Sequence, residues 1–335
     1  MAKDKWMFWS QPIDGGTIDA APAASHGMLA VATSKGLTLL HNPVALAADG
    51  DRVIQIDTGG RVVWSCDTTN ELAVTNSSEM RSGVGNPVYG TLKVPFNRPA
   101  VIRRTENSGY VVADTGNNRI AHIDSGGNIL WQVTGFVDPG HILSAGMPLA
   151  LSKPSDVTMW VVSPPNAAPE YHYLIADRGN YRVVHVAARA DAKGKYGNEL
   201  VWVSPTVLRG KKYDYTSARL VPRPIKDGDG NVTSMVTDIL CVVANAVQEG
   251  DVNSPTGAIL RFVDALNTPA ADTEVQAFDY LPGGPEDRKL IRPIFYDRLY
   301  RSAEDFTEVA IADGGVHAFD SSGGAPAVPF GPSQF

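Results

Sequence analysis

The hydrophobic positions of this chain fall in short runs broken by turn-forming residues, and the stretch from Tyr110 to Gln132 shows one whole unit of that pattern. Tyr110-Val111-Val112-Ala113 is an apolar, β-prone run. Asp114-Thr115-Gly116-Asn117-Asn118 supplies residues that tolerate a left-handed backbone or bond their own main chain, and Arg119 to Asp124 alternates toward a second strand. Ser125-Gly126-Gly127-Asn128 then turns the chain into Ile129-Leu130-Trp131. The pattern predicts three strands and two turns.

The unit recurs along the chain. Arg52 to Asp57, Thr58-Gly59-Gly60 and Arg61 to Trp64 repeat its second half. Tyr173 to Val186 repeats its first half, and Leu200-Val201-Trp202 closes that copy after an insertion. Weaker copies run through Ile239 to Asn245 with Ala258 to Asp264, and through Val309 to Asp313 with Val316 to Asp320. Trp64 and Trp131 are 67 residues apart and Trp131 and Trp202 are 71 apart, so each copy has room for a four-stranded antiparallel sheet with its loops. Candidate innermost strands precede the copies at Thr17 to Ala24, Pro99 to Arg103, Ser155 to Val162, Ala218 to Ile225 and Ile291 to Tyr296.

Four strands per copy arranged around a ring predict an all-β fold: a β-propeller of four-stranded antiparallel blades, with five copies counted. The fifth copy has no clear outer strand after Asp320. Lys5 to Ser10, however, matches the outer strands Arg61 to Ser65 and Leu200 to Ser204. The N-terminal strand, about residues 5–10, is therefore expected to complete the last blade and close the ring, which removes exposed sheet edges. On this reading residues 1–335 are a single domain and 321–335 a C-terminal tail.

Ala113 to Ile120 and Ala176 to Val183, both of the form Ala-Asp-x-Gly-Asn-x-Arg, resemble the NHL repeat of NHL-type β-propellers. The Gly-Gly-Asn-Ile-Leu-Trp and Gly-Gly-Arg-Val-Val-Trp segments resemble the blade ends of arylsulfotransferase-like and quinoprotein-like propellers. The motif is specific in two copies and degenerate in three. NHL-type propellers usually have six blades, so either a sixth copy has diverged beyond recognition or the ring has five. The segment from Asp67 to Lys93 is the gap wide enough to hide extra strands, and its Thr, Asn, Ser and Gly content reads as loop. Relatives in this broad group include amidating lyases, lactonases and sulfotransferases, which the resemblance implies only as a class of alternatives.

Charge narrows the partners. A formal net charge of −7 without a basic stripe disfavours nucleic acid and anionic membrane. No apolar run approaches the length of a membrane span. Cys66 and Cys241 lie in different copies near strand positions and read as separately buried, with no metal-ligand spacing. The first ten residues show no secretory signal, which makes the cytoplasm the default and leaves an extracytoplasmic place open if the chain is processed.

Loops on a rigid ring are where recognition resides, and here the outer-to-inner connections are long. Residues 34–51, 67–97, 132–149, 204–217 and 246–256 would share one face. Tyr89, His141, Tyr213 and Tyr215 are aromatic pieces that could line it. His41 and His141 are the two histidines in these loops to be tested as ligands or bases. Arg103, Arg219, Arg223 and Arg292 lie on candidate inner strands. They would bind an anionic group if they face the channel, or else pair with acidic residues. Asp227, Asp229, Asn231 and Asp238 have the spacing of a calcium loop, but Val232 stands where an EF-hand needs glycine, and Asp-Gly is also a common hairpin turn. No cofactor is expected from the sequence beyond a possible calcium ion at these residues.

The Asp-x-Gly-Asn-x-Arg element reads as structural. Asp114 should accept turn N–H groups, Asn117 or Asn118 should take the left-handed position, and Arg119 should pair locally. His122 and His185 share one slot, filled by Gln55 in the first copy, and read as hydrogen-bonders between blades. No nucleophile elbow, zinc-protease helix or phosphate loop is present. The preferred function is a non-catalytic binding or scaffold protein that recognises a protein or glycan partner through its loop-rich face. The alternatives are a propeller enzyme with a site at the central channel and a structural component of an envelope or extracellular assembly.

Overall fold

The computed structural model describes residues 44–57, 61–71, 92–105, 109–190, 196–208, 211–229, 231–247, 258–269 and 273–278, with strand stretches at 23–25, 28–33, 36–41, 79–80, 295–300, 306–312 and 315–320. The fold is all-β. Its strands form successive antiparallel meanders in chain order. The first two are β1 (Ala23–Ser25), β2 (Met28–Thr33) and β3 (Gly36–His41), then β4 (Val44–Asp49), β5 (Arg52–Asp57) and β6 (Val62–Cys66). β7 (Thr68–Glu71) pairs with β9 (Leu92–Pro95), whereas β8 (Glu79–Met80) joins a later sheet.

A four-stranded meander follows: β10 (Val101–Arg104), β11 (Tyr110–Asp114), β12 (Arg119–Ile123) and β13 (Ile129–Val133). Next come β14 (Asp156–Val162), β15 (Glu170–Asp177), β16 (Arg182–Ala190) and β17 (Tyr196–Val203), with β8 on the far edge of β17. The following sheet holds β18 (Val207–Leu208), β19 (Lys211–Lys226), β20 (Val232–Val247), β21 (Ala258–Phe262) and β22 (Val275–Phe278). The last comprises β23 (Phe295–Tyr300), β24 (Phe306–Ala312) and β25 (Gly315–Asp320).

The sheets pack face to face, because alternate residues of each strand point to opposite sides. Val111, Ile120, Trp131 and Val133 of one sheet meet Tyr173, Ile175, Val184 and Val186 of the next. The opposite side of that second sheet gives Leu174, Ala176, Val183 and Trp202, which meet Tyr215, Ile239, Cys241 and Phe262. With the two-residue β18 set aside, the first strands of the sheets touch in order: β4 on β10, β10 on β14, β14 on β19 and β19 on β23.

One device repeats in three sheets. Gln55 opposes Trp64, His122 opposes Trp131 and His185 opposes Trp202, and the register shifts at the next residue each time. Each indole then donates to the following sheet: Trp64 to the Ser125 carbonyl at 3.0 Å, Trp131 to Asn198 Oδ1 at 3.1 Å, and Trp202 to Thr273 Oγ1 at 3.4 Å. The regular tryptophan spacing thus records a bond between sheets.

The structure corrects several boundaries. Residues 34–51 hold β3 and β4 rather than loop alone, and β4 is joined to β5 by a two-residue turn at Gly50-Asp51, where Gly50 has φ 63°. β1 to β3 form a meander that repeat-matching missed, since it lacks both the Asp-x-Gly-Asn turn and the tryptophan. Residues 67–93 include β7, β8 and the start of β9 rather than loop alone. Residues 211–217 belong to β19. The expected N-terminal strand at 5–10 and the tail at 321–335 lie outside the described residues.

Candidate functional site

The Asp-x-Gly-Asn-x-Arg turns pin each sheet to the connection that leads into it. Asp114 accepts the Asn97 N–H through Oδ1 at 2.8 Å, and Asn117 Nδ2 and Arg119 Nε through Oδ2, each at 2.8 Å. Asp177 does the same with the Ser152 N–H (2.7 Å), Asn180 Nδ2 and Arg182 Nε (both 2.8 Å). Asn118 and Tyr181 take the left-handed position, at φ 53° and 54°. Gly179 is required by close approach: its N–H donates to the Ser152 carbonyl at 2.8 Å, and a Cβ there would sit 2.8 Å from that same oxygen.

The second of these turns holds the longest described connection, residues 134–155. Arg182 donates through Nη2 to the Pro148 carbonyl at 2.7 Å, and its guanidinium lies 5.2 Å over the Phe136 ring. The stem closes by hydrogen bonds from Phe136 N to Leu149 O (3.1 Å) and from Leu151 N to Thr134 O (2.9 Å). Val137 runs alongside β17, bonded to Asn198 and Leu200. Asp138 accepts the N–H groups of Ile142 and Leu143 at 2.9 and 2.8 Å, which fixes the tip. The braced connection still presents Val137 and Leu149, at 54% and 48% exposure, with His141 exposed at φ 51° between them in sequence.

The arginines of the first strands meet a carboxylate that the sequence reading passed over. Asp156, at the start of β14, is 2% exposed. Its Oδ1 accepts Arg103 Nη2 from β10 at 2.8 Å. Its Oδ2 accepts the Ser217 hydroxyl at 2.7 Å, the Ala218 N–H at 3.1 Å and Arg219 Nη1, all from β19. Burial works to raise this carboxyl, but Arg219 and Arg103 more than offset it and hold it at about 2. Three consecutive first strands are thus joined by one alternating chain of charge. The signal was in the sequence: Asp156 is the only charged residue between Ser155 and Val162, and both neighbouring inner strands carry arginine.

The remaining candidates divide. Arg223 pairs with Asp238 at 2.7 Å, and Asp238, 1% exposed, also accepts the Asp264 N–H at 2.9 Å with Arg261 3.8 Å away. Asp227 Oδ1 accepts the Asp229 and Asn231 N–H groups at 3.0 and 2.9 Å, closing a hairpin turn. Asp238 lies opposite Val221, about 20 Å along the strand from that turn, so these carboxylates do not converge. Tyr215 is buried and donates to the Pro205 carbonyl at 3.1 Å, while Tyr213 packs half-buried beside the same core. His141 is the only one of the two loop histidines whose side chain is described. The side chain of His41, and all of Tyr89 and Arg292, lie outside the described residues.

A second polar cluster was also missed. His172 Nδ1 lies 2.8 Å from His185 Nε2, and His172 Nε2 lies 3.1 Å from Glu170, which also accepts Arg189 Nε at 2.8 Å. Trp160 stacks on His172 with centroids 5.3 Å apart. Burial, then His172 and Arg189, lowers His185 to about 3, and burial lowers His122 to about 4. His122 reaches Tyr173 of the neighbouring sheet at 3.4 Å, whereas His185 bonds within its own sheet. Among the described residues no three His, Cys, Asp or Glu side chains are grouped to hold a metal.

No protein-family profile and no curated protein sequence matches the chain. Similar solved structures include two β-propellers. One is a streptogramin B lyase (11% identity, 91% of this chain and 70% of that one, TM-score 0.32). The other is the N-terminal domain of Nup159 (14%, 93% and 73%, TM-score 0.34). A protein of unknown function from Bacteroides caccae is also similar (9%, 87% and 74%, TM-score 0.37). At these identities and scores, no activity passes from them to this chain. Among the described residues no helix is long and apolar enough to cross a membrane.

Proposed function

We propose that the chain is a non-catalytic β-propeller of the NHL type that binds a protein partner through its connection-rich face. The observation that carries this reading is the connection 134–155, braced by Arg182, Asp138 and the edge of β17 yet presenting Val137 and Leu149 to solvent. A preorganised apolar surface loses little entropy on binding, and its apolar character favours a protein over a glycan. The succession of touching first strands supports a ring, with residues 5–10 completing the last sheet.

The Asp156 network favours a binder over an enzyme with a channel site, because the carboxylate of the inner strands is engaged by two arginines, Arg103 and Arg219, and held ionised rather than left to act as an acid or base. His172 and His185 do not restore the enzyme reading, since they lie buried between sheets beneath Trp160. Calcium has no part in the proposal: Asp227 is occupied by its own turn and Asp238 by Arg223.

The test is quantitative affinity purification with the wild type and with Val137→Asp/Leu149→Asp. A specific partner should drop at least tenfold with the double variant while the melting temperature holds. Equal recovery of every partner by both proteins would overturn the assignment of this face.

A further inference from the structure

β19 and β20 are 16 residues each, against two to nine for the strands of the two preceding sheets. Their ladder runs on to Lys226 and Val232, whereas β21 pairs with β20 only from Ile239 to Val243. A two-stranded arm therefore projects about 20 Å past the end of β21. Residues 231–235 on it are exposed, including Val232 at 43% and Met235 at 47%. A bare two-stranded ribbon is marginally stable in water, so an arm of this length calls for a partner.

The two edges of the arm differ. Pro222 and Pro224 stand two apart on β19, and the ladder continues through both, opposite Thr237 and Met235. A proline is accommodated in such a ladder with its ring nitrogen turned away from the paired strand. The outer edge of β19 thus lacks donors at both positions and is closed to strand addition. The same alternation turns the N–H and C=O groups of Met235 and Thr237 outward from β20. Among the described residues no strand pairs with β20 there.

We propose that this β20 edge pairs antiparallel with the same edge of a second copy of the chain, about a two-fold axis at Met235. Val232-Thr233-Ser234-Met235-Val236-Thr237 carries no charge in a chain that is 19% charged. Self-pairing about this axis sets Met235 opposite Met235, Ser234 opposite Val236 and Thr233 opposite Thr237, so no charge meets its like across the seam. The arm's reach also holds two bodies of net charge −7 apart by more than the Debye length of about 8 Å.

The test is sedimentation velocity from 1 to 200 µM, a range set by the small contact. The wild type should move toward twice its 35.8 kDa mass as concentration rises. Met235→Lys and Met235→Asp each place like charges across the axis and should weaken association at least tenfold, with thermal melting reporting on the fold. Mixed one to one, the two variants should associate again, since Lys then faces Asp. A wild type that stays monomeric throughout, variants that associate as it does, or a mixture without recovery would overturn the proposal.

Discussion

At the scale of single residues, the consequential groups are histidines and carboxylates buried between sheets. His122 and His185 are 3% and 4% exposed, and His122 is lowered to about 4 and His185 to about 3, chiefly by burial. An unfolded histidine takes up its proton near pH 6.5, so between that value and 4 the unfolded chain binds more protons than the folded one. The stability these residues carry is complete above about pH 6.5 and is lost as pH falls toward 4 and 3. For His122 this amounts to roughly 3 kcal/mol. The melting temperature should fall on acidification from pH 7 to 4, and His185→Gln, which installs the residue found at Gln55, should flatten that fall. A variant curve parallel to the wild type would show that His185 contributes nothing to it.

At the scale of elements, Asp156 ties together three first strands that share no backbone ladder. Asp156→Asn keeps the size but leaves Arg103 and Arg219 without their counter-charge in a buried place. The expected loss is about 3–5 kcal/mol in urea unfolding. A loss under about 1 kcal/mol would mean that the arginines find other partners. The Asp-x-Gly-Asn-x-Arg turns were legible because they use local chemistry: a left-handed residue, a carboxylate and an arginine within six positions. The length of β19 was not legible, since Tyr213-Asp214-Tyr215 looks like loop chemistry until its long-range pairing with β20 is known. Asp156 was hidden for the same reason, because its partners lie more than 50 residues away on either side.

At the scale of the whole molecule, the sequence showed that the architecture is all-β and built from repeated meanders, because tryptophan and turn residues recur at nearly constant spacing. It did not show the meander β1 to β3, whose short apolar strands carry neither marker. The proposed binding surface leaves still less trace: Val137 and Leu149 are ordinary strand-like residues in sequence, and only their exposure on a braced connection sets them apart.

The central claim is that these sheets form a ring closed by the N-terminal strand, and it is tested most directly by thermal unfolding of residues 11–335 beside the full chain. On this proposal, removing residues 5–10 would strip one sheet of its outer member and open the ring. The account predicts one cooperative transition for the full chain and, for the shortened chain, a melting temperature lower by about 10 °C or more, or a broadened transition. Superimposable melting curves would contradict it.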